Sequence, residues 1–192
     1  MGKIIVDLAV TLDGYISGPD GEIDWLVKEE EKDFGDILAD ILDGIDAIFY
    51  GRVSYDLWGN YQPDEKASSK LKESYKLLHS KTKYVFSRTK KGDDSKAIFI
   101  NSKIKENILE IKQKVNGNIW LYGGGKLINT LMNLGFVDEY RLAVHPVIIG
   151  NGLPVFKDIK ERIGLELLDF EKSKSGIVVL TYAAKSKNNP SV

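Results

Sequence analysis

Three short apolar runs in this chain end in residues suited to holding an anion. Ile45-Asp46-Ala47-Ile48-Phe49-Tyr50 leads into Gly51-Arg52-Val53-Ser54, and Lys83-Tyr84-Val85-Phe86 leads into Ser87-Arg88-Thr89. Ile119-Trp120-Leu121-Tyr122 leads into Gly123-Gly124-Gly125-Lys126-Leu127-Ile128. Glycine lets a ligand come within hydrogen-bond distance of the backbone, and a helix start offers unpaired N–H groups and a positive dipole end. A guanidinium is planar, permanently charged and well matched to a phosphate. Two separated cationic sites and one dipole site fit a dinucleotide, whose pyrophosphate and ribose 2′-phosphate are well apart. Taken singly, Arg52 and Arg88 read equally well as surface cations, and three glycines as a tight turn. Their repetition after three apolar runs favours a ligand.

Neither common phosphate motif is present. The glycines lack the spacing of the six-residue dinucleotide fingerprint, and Gly-Gly-Gly-Lys-Leu lacks the spacing and hydroxyl of a phosphate-binding loop. A different frame must position these groups.

That frame is legible in the hydrophobic pattern. Residues 3–11 are apolar on nearly both faces and predict a central strand, with Asp7 the exception on the face of Ile5 and Ala9. A turn-rich loop follows over 12–21, then a helix from about Glu29 to Asp43 that Gly44 ends. Strands at 45–50, 83–87, 97–100 and 119–122 alternate with helices carrying Leu71, Tyr75 and Leu78, then Ile104, Ile108 and Ile111, then Leu127, Ile128 and Leu131. Ser102 is the expected N-cap of the second of these. After Gly135 the pattern predicts an antiparallel finish: a strand over 140–149 interrupted by Pro146, and a hairpin of 165–170 with 177–182. The expectation is an α/β, three-layer domain with a mixed, mostly parallel central sheet, helices on both faces and an antiparallel C-terminal hairpin. One domain over 1–184 and a flexible tail over 185–192 complete the reading. Ligands of such sheets bind outside the carboxyl ends of the strands.

Composition narrows the function classes. The 192 residues carry 27 basic and 28 acidic side chains, a net charge of −1, which gives no footprint for nucleic acid or an anionic membrane. No apolar run approaches a membrane span, no signal peptide is evident, and the expected location is cytoplasmic. With no cysteine and only His79 and His145, thiolate chemistry is excluded and a multi-histidine metal site is not expected.

Four signposts in order give the chain a family likeness. They are Ala9-Val10-Thr11-Leu12-Asp13-Gly14-Tyr15-Ile16, Gly51-Arg52-Val53-Ser54-Tyr55, Tyr122-Gly123-Gly124-Gly125-Lys126-Leu127 and His145-Pro146-Val147-Ile148-Ile149-Gly150-Asn151-Gly152. The chain resembles the dihydrofolate-reductase-like superfamily over about residues 3–183. Within it, the chain is most similar to the C-terminal reductase domain of the bifunctional riboflavin-biosynthesis deaminase–reductase.

The resemblance implies an oxidoreductase using NADPH on a small pterin- or aminouracil-like heterocycle, at a CH–NH or C=O type bond, and a homodimer. It places Ala9 and Ile16 beside the nicotinamide, Gly51, Arg52, Val53 and Ser54 at the phosphates, and Ser87 and Arg88 at the 2′-phosphate. It places Gly123, Gly124, Gly125, Lys126, Leu127 and Ile128 around the pyrophosphate, with a cis peptide between Gly123 and Gly124. Catalytic carboxylates by the same likeness are Asp13 and Glu30. Asp13 also reads as turn chemistry before Gly14, and Glu29 to Glu31 as a dipole-friendly helix start. Tyr15, Trp25, Trp58 and Tyr61 are candidate walls of a substrate pocket. The zinc-dependent deaminase half is absent, since its ligands are cysteines. The alternative reading is a nucleotide-binding module that keeps the NADPH site without efficient catalysis.

Overall fold

The computed structural model describes residues 1–28, 33–89 and 96–185. Its first strand, β1 (Ile4–Thr11), is apolar at both parities and is sandwiched as that pattern requires. The chain continues through β2 (Tyr15–Ser17), α1 (Phe34–Leu42), β3 (Ile45–Gly51), α2 (Arg52–Trp58), α3 (Ser69–Ser80) and β4 (Thr82–Phe86). Then come β5 (Ile98–Ile100), α4 (Ile104–Lys114), β6 (Asn118–Gly123), α5 (Gly125–Asn133) and β7 (Glu139–His145). The last strands are β8 (Leu153–Pro154), β9 (Leu165–Lys172) and β10 (Val178–Ala184).

Eight strands form one sheet in the order β5-β4-β3-β6-β1-β7-β10-β9. The pairs from β5 across to β7 are all parallel, and β10 is antiparallel to both β7 and β9, so β10 alone is reversed. Ile4 and Val6 face α4 and α5, meeting Ile108, Ile111, Ile128 and Leu131. On the other face Ile48, Tyr50, Val85 and Trp120 pack under Leu38 and Leu42 of α1, Tyr55 of α2 and Leu78 of α3. Burying each such side chain contributes about 1.5–3 kcal/mol. The result is a three-layer α/β fold with a mostly parallel sheet and an antiparallel hairpin.

Several boundaries differ from the sequence pattern. Helix α1 starts at Phe34 because the Asp33 carboxylate accepts from Gly35 N at 2.7 Å and caps it there. Helix α4 is not capped by the Ser102 hydroxyl: Lys103 is the N-cap residue, at φ 48°, and Asn107 Nδ2 ties the turn by donating to the Ser102 and Lys103 carbonyls. The stretch 12–21 is not all loop, since β2 pairs with β8 through Tyr15↔Pro154 and Ser17↔Leu153. Strands of two or three residues leave no periodicity to read.

The antiparallel finish begins one strand later than the sequence suggested. Strand β7 runs parallel to β1 from Ile5↔Glu139 to Thr11↔His145, because α5 carries the chain back across the sheet as a crossover. It stops at His145 because Pro146 has no N–H for the ladder. Strand β7 therefore lies between β1 and β10, and the edges of the sheet are β5 and β9.

One polar cluster braces α3 against β4 and the loop after α2. His79 Nε2 lies 2.8 Å from the Tyr61 carbonyl, where it can only donate, so Nδ1 accepts from Lys83 Nζ at 2.9 Å. Lys83, itself buried, also donates to the Gly59 carbonyl at 2.6 Å. Burial, together with the charge of Lys83, holds the imidazole below its ordinary value of 6.5. A histidine depressed on folding supports the fold while neutral and ceases to as pH falls below 6.5. The stability advantage of the native protein over His79→Asn is therefore expected to shrink between neutrality and pH about 5 in paired urea titrations, as protonation of His79 disrupts the brace.

Candidate functional site: a glycine shelf at three parallel strand ends

Because β4, β3 and β6 are adjacent and parallel, Ser87, Gly51 and Gly123 open along the same edge of the sheet. The register sets Gly51 opposite Phe86 and Tyr50 opposite Gly123. A methyl group on Gly51 would stand 3.2 Å from Gly124 N, and one on Gly124 would stand 3.0 Å from Ser54 Oγ. One on Gly125 would stand 3.6 Å from Ile16 Cδ1. Gly51, Ser54, Gly124, Gly125 and Ile16 thus border one shelf, assembled from β2, β3, α2 and the start of α5. Its surface is backbone because side chains would fill it.

Gly123 adopts φ 118°, a conformation that favours glycine, and the peptide joining it to Gly124 is cis. The Gly124 carbonyl accepts from Leu127 N at 2.8 Å and Ile128 N at 3.2 Å, starting α5 without a side-chain cap. Leu127 and Ile128 are buried and anchor the helix from beneath, while Lys126 points to solvent. Arg52 and Val53 stand exposed at the start of α2, Arg52 Nη1 donating to Asp56 at 2.7 Å. At the end of β4, Ser87 is buried, its N–H given to the Ile100 carbonyl at 3.0 Å and its hydroxyl accepting from Thr89 N at 3.3 Å. Arg88 beside it is exposed. The three expected anion-binding stretches are brought together, with cations along the rim.

Across from the shelf, Ala9 sits near the end of β1, paired with Ala143. Asp13 braces the loop beyond it. Its carboxylate accepts from Thr11 Oγ1 at 2.6 Å and from Gly150 N at 2.8 Å, joining the 11–14 turn to the 149–150 loop. The Thr11 hydroxyl, aided by the backbone N–H groups of the second loop, holds Asp13 below the usual carboxylate range. Glu30 lies outside the described residues.

The four aromatic candidates divide between two places. Tyr15 stands in β2 with its hydroxyl 3.5 Å from the Gly150 carbonyl, and Trp25 meets His145 edge-on at 5.4 Å. His145 is buried and accepts from Val27 N through Nδ1 at 3.1 Å, a fastening for that loop. Trp58, the last residue of α2, meets Tyr61 at 5.6 Å with the rings tilted by 59°, and Tyr61 continues to Tyr75 of α3 at 5.2 Å.

Sequence reasoning assigned no role to Asp7, although a lone acid in an otherwise apolar strand was the available signal. Its side chain is only 12% exposed, and Arg141 Nη1 donates to its Oδ2 at 3.2 Å. Burial raises its pKa to about 6, partly offset by the Arg141 guanidinium. A second missed feature is a run of rings leading from the strand interior to the shelf: Trp120 to Tyr122 at 4.9 Å, and Tyr122 to Tyr50 at 4.7 Å. Tyr122 and Tyr50 immediately precede the shelf glycines, and the Tyr50 hydroxyl is buried without a hydrogen-bond partner among the described residues.

Comparison with known proteins places this geometry. The chain is 49% identical to YyaP of Bacillus subtilis (strain 168), itself uncharacterised, over 180 residues and 94% of each chain. A Shewanella sp. PV-4 protein assigned provisionally to riboflavin biosynthesis has the same fold, with a TM-score of 0.76 at 22% identity over 97% of this chain and 100% of that one. Dihydrofolate reductase from Enterococcus faecalis, solved with NADP(H), gives 0.62 at 17% identity over 96% and 98%. The family model described as the RibD C-terminal domain matches residues 2–179, and to that reductase-like family the chain belongs.

Proposed function

We propose that this protein is an NADPH-dependent reductase of a small nitrogen heterocycle of pterin or aminouracil type. The observation that carries the reading is the contact between Gly51 and the Gly123–Gly124 turn. It makes one continuous backbone surface at adjacent parallel strand ends. Gly51, Ser54 and the start of α5 would take the pyrophosphate, with Arg52 and Lys126 on its flanks. Ser87 and Arg88 would take the 2′-phosphate, and Ala9 and Ile16 would border the nicotinamide, which supplies a hydride when bound. The enzyme, as opposed to a module that only binds the nucleotide, is distinguished by measuring both properties. Saturable NADPH binding with NADPH oxidation against a panel of pterins and aminouracils supports a reductase. Binding without turnover supports the module, and no binding of NADPH or NADH overturns both.

Arg88 gives this reading a selective test. A guanidinium on a phosphate contributes about 1.5–3 kcal/mol, so Arg88→Ala is expected to weaken NADPH binding roughly tenfold or more. NADH, lacking that phosphate, should be unaffected. Equal losses for both nucleotides would remove Arg88 from the 2′-phosphate.

The reading includes a homodimer. Strand β9 is exposed along its whole length and carries Leu165, Leu167, Leu168 and Phe170 at one edge of the sheet, Phe170 at 66% exposure. A long apolar edge is a template for pairing with another strand. In this reading the association surface is β9. Sedimentation should report twice the 21.5 kDa chain mass, and a 21.5 kDa species would refute the dimer.

A further inference from the structure

The loops that follow β1 and β7 leave the sheet at its carboxyl edge, the edge that carries the glycine shelf. One carboxylate joins them. Asp13 Oδ1 accepts from Thr11 Oγ1 at 2.6 Å and Oδ2 accepts from Gly150 N at 2.8 Å, with Ile149 N a further 3.4 Å from Oδ1. The buried Thr11 hydroxyl accepts in turn from Tyr15 N at 2.9 Å, so it couples the carboxylate to the first residue of β2. Beyond this clasp the two loops run on together as the ribbon of β2 and β8. Ile16 lies three residues after Asp13, and Leu153 three residues after Gly150. Both side chains reach the same glycine of the shelf: a methyl on Gly125 would stand 3.6 Å from Ile16 Cδ1 and 3.6 Å from Leu153 Cδ2. Leu153 is 42% exposed, which leaves an apolar flank open beside the start of α5.

The same bonds make Asp13 a poor proton donor. The Thr11 hydroxyl above all, and then the N–H groups of Gly150 and Ile149, favour the ionised carboxylate and hold it below its ordinary range. An acid that protonates a substrate near neutrality needs the opposite shift. Resting on the reductase reading, we infer that Asp13 is a positioning residue: by clasping the two loops it sets Ile16 and Leu153 together as one apolar wall for the nicotinamide ring. Leu153 thereby joins the residues that face the cofactor, and proton delivery falls to a group other than Asp13.

The test compares two ligands of the full chain by calorimetric titration: NADPH, and 2′-phospho-ADP-ribose, which is the same molecule without its nicotinamide. Asp13→Ala removes the acceptor at an exposed position, where water can take over the Gly150 N–H and the fold should survive. Thr11→Val removes the coupling hydroxyl from the other side, and Leu153→Ala removes half of the wall itself. Each variant is expected to weaken NADPH about tenfold and to leave 2′-phospho-ADP-ribose within roughly twofold of the native value. Melting curves should show all three folded. A general loosening of the structure would weaken both ligands alike, and that result would overturn the inference. Unchanged NADPH affinity in Asp13→Ala and Thr11→Val, or native affinities equal for the two ligands, would overturn it as well while leaving the reductase reading intact. Failure of the native protein to bind NADPH at all would instead remove that reading, and the inference with it.

Discussion

Gly51→Val is expected to weaken NADPH binding by about a hundredfold or more, with little change in the thermal transition. Gly51 has φ −72° and ψ 150°, a conformation any residue adopts, so the backbone itself tolerates a side chain. A Cβ there stands 3.2 Å from Gly124 N and 3.5 Å from Gly123 O, a tight contact that a small shift relieves. The two γ-carbons of valine would then cover the backbone on which the pyrophosphate is proposed to lie. Hydrogen bonds to charged groups contribute about 1.5–3 kcal/mol each, so losing two accounts for a hundredfold or greater effect. Calorimetric titration with NADPH, alongside a melting curve, checks it. An unchanged dissociation constant in a folded variant would move the cofactor away from Gly51.

The largest effect on stability is expected at Gly35, in α1. Gly35→Ala would ordinarily favour a helix by about 1 kcal/mol. Here the added methyl would sit 2.5 Å from Leu71 N and 2.7 Å from Lys70 C, the backbone of α3. Neither atom can rotate aside as a side-chain tip would. The two helices must separate, and Ser74 Oγ, which donates to the Gly35 carbonyl at 2.7 Å, would lose its partner. Overpacking costs about 1–3 kcal/mol and a lost buried hydrogen bond about 1–3 more. The penalty exceeds the helix gain, and a net loss of roughly 2–4 kcal/mol should appear in urea titration. An unchanged or raised stability would show that α1 and α3 can slide apart freely.

What could be read from the sequence follows from how far each signal extends. The parallel sheet and its layers were legible because β1, β3, β4 and β6 are apolar runs separated by helices of clear periodicity. The shelf was legible because its glycines, hydroxyls and arginines all follow such runs, and parallel strands must end on one edge. Boundaries set by single contacts were not. The Asp33 cap, the Lys103 turn and the two-residue strand β8 leave no repeating trace. The direction of β7 could have been argued from α5, but Pro146 and the hairpin beyond it drew the reading toward an antiparallel pair. Asp7 was visible as an anomaly in β1. Its chemistry was not, because Arg141 and Trp120 are distant in sequence and meet it only through strand register. A sequence pattern shows which face a residue takes and leaves unstated who shares it.

The position of β1 also carries a consequence for how the protein comes into being. It is the first strand made, yet both its neighbours in the sheet come late: Trp120 bonds to Asp7 across 113 residues, and Arg141 across 134. Loops that long close slowly, and folds dominated by such contacts are slow folders. During synthesis an eight-residue apolar strand must wait, unpaired, until β6 and β7 have left the ribosome. Asp7 and its neighbours on β1 therefore acquire their surroundings among the last events of folding. A chain interrupted before β7 would hold most of the glycine shelf and yet lack one wall of the cleft opposite it.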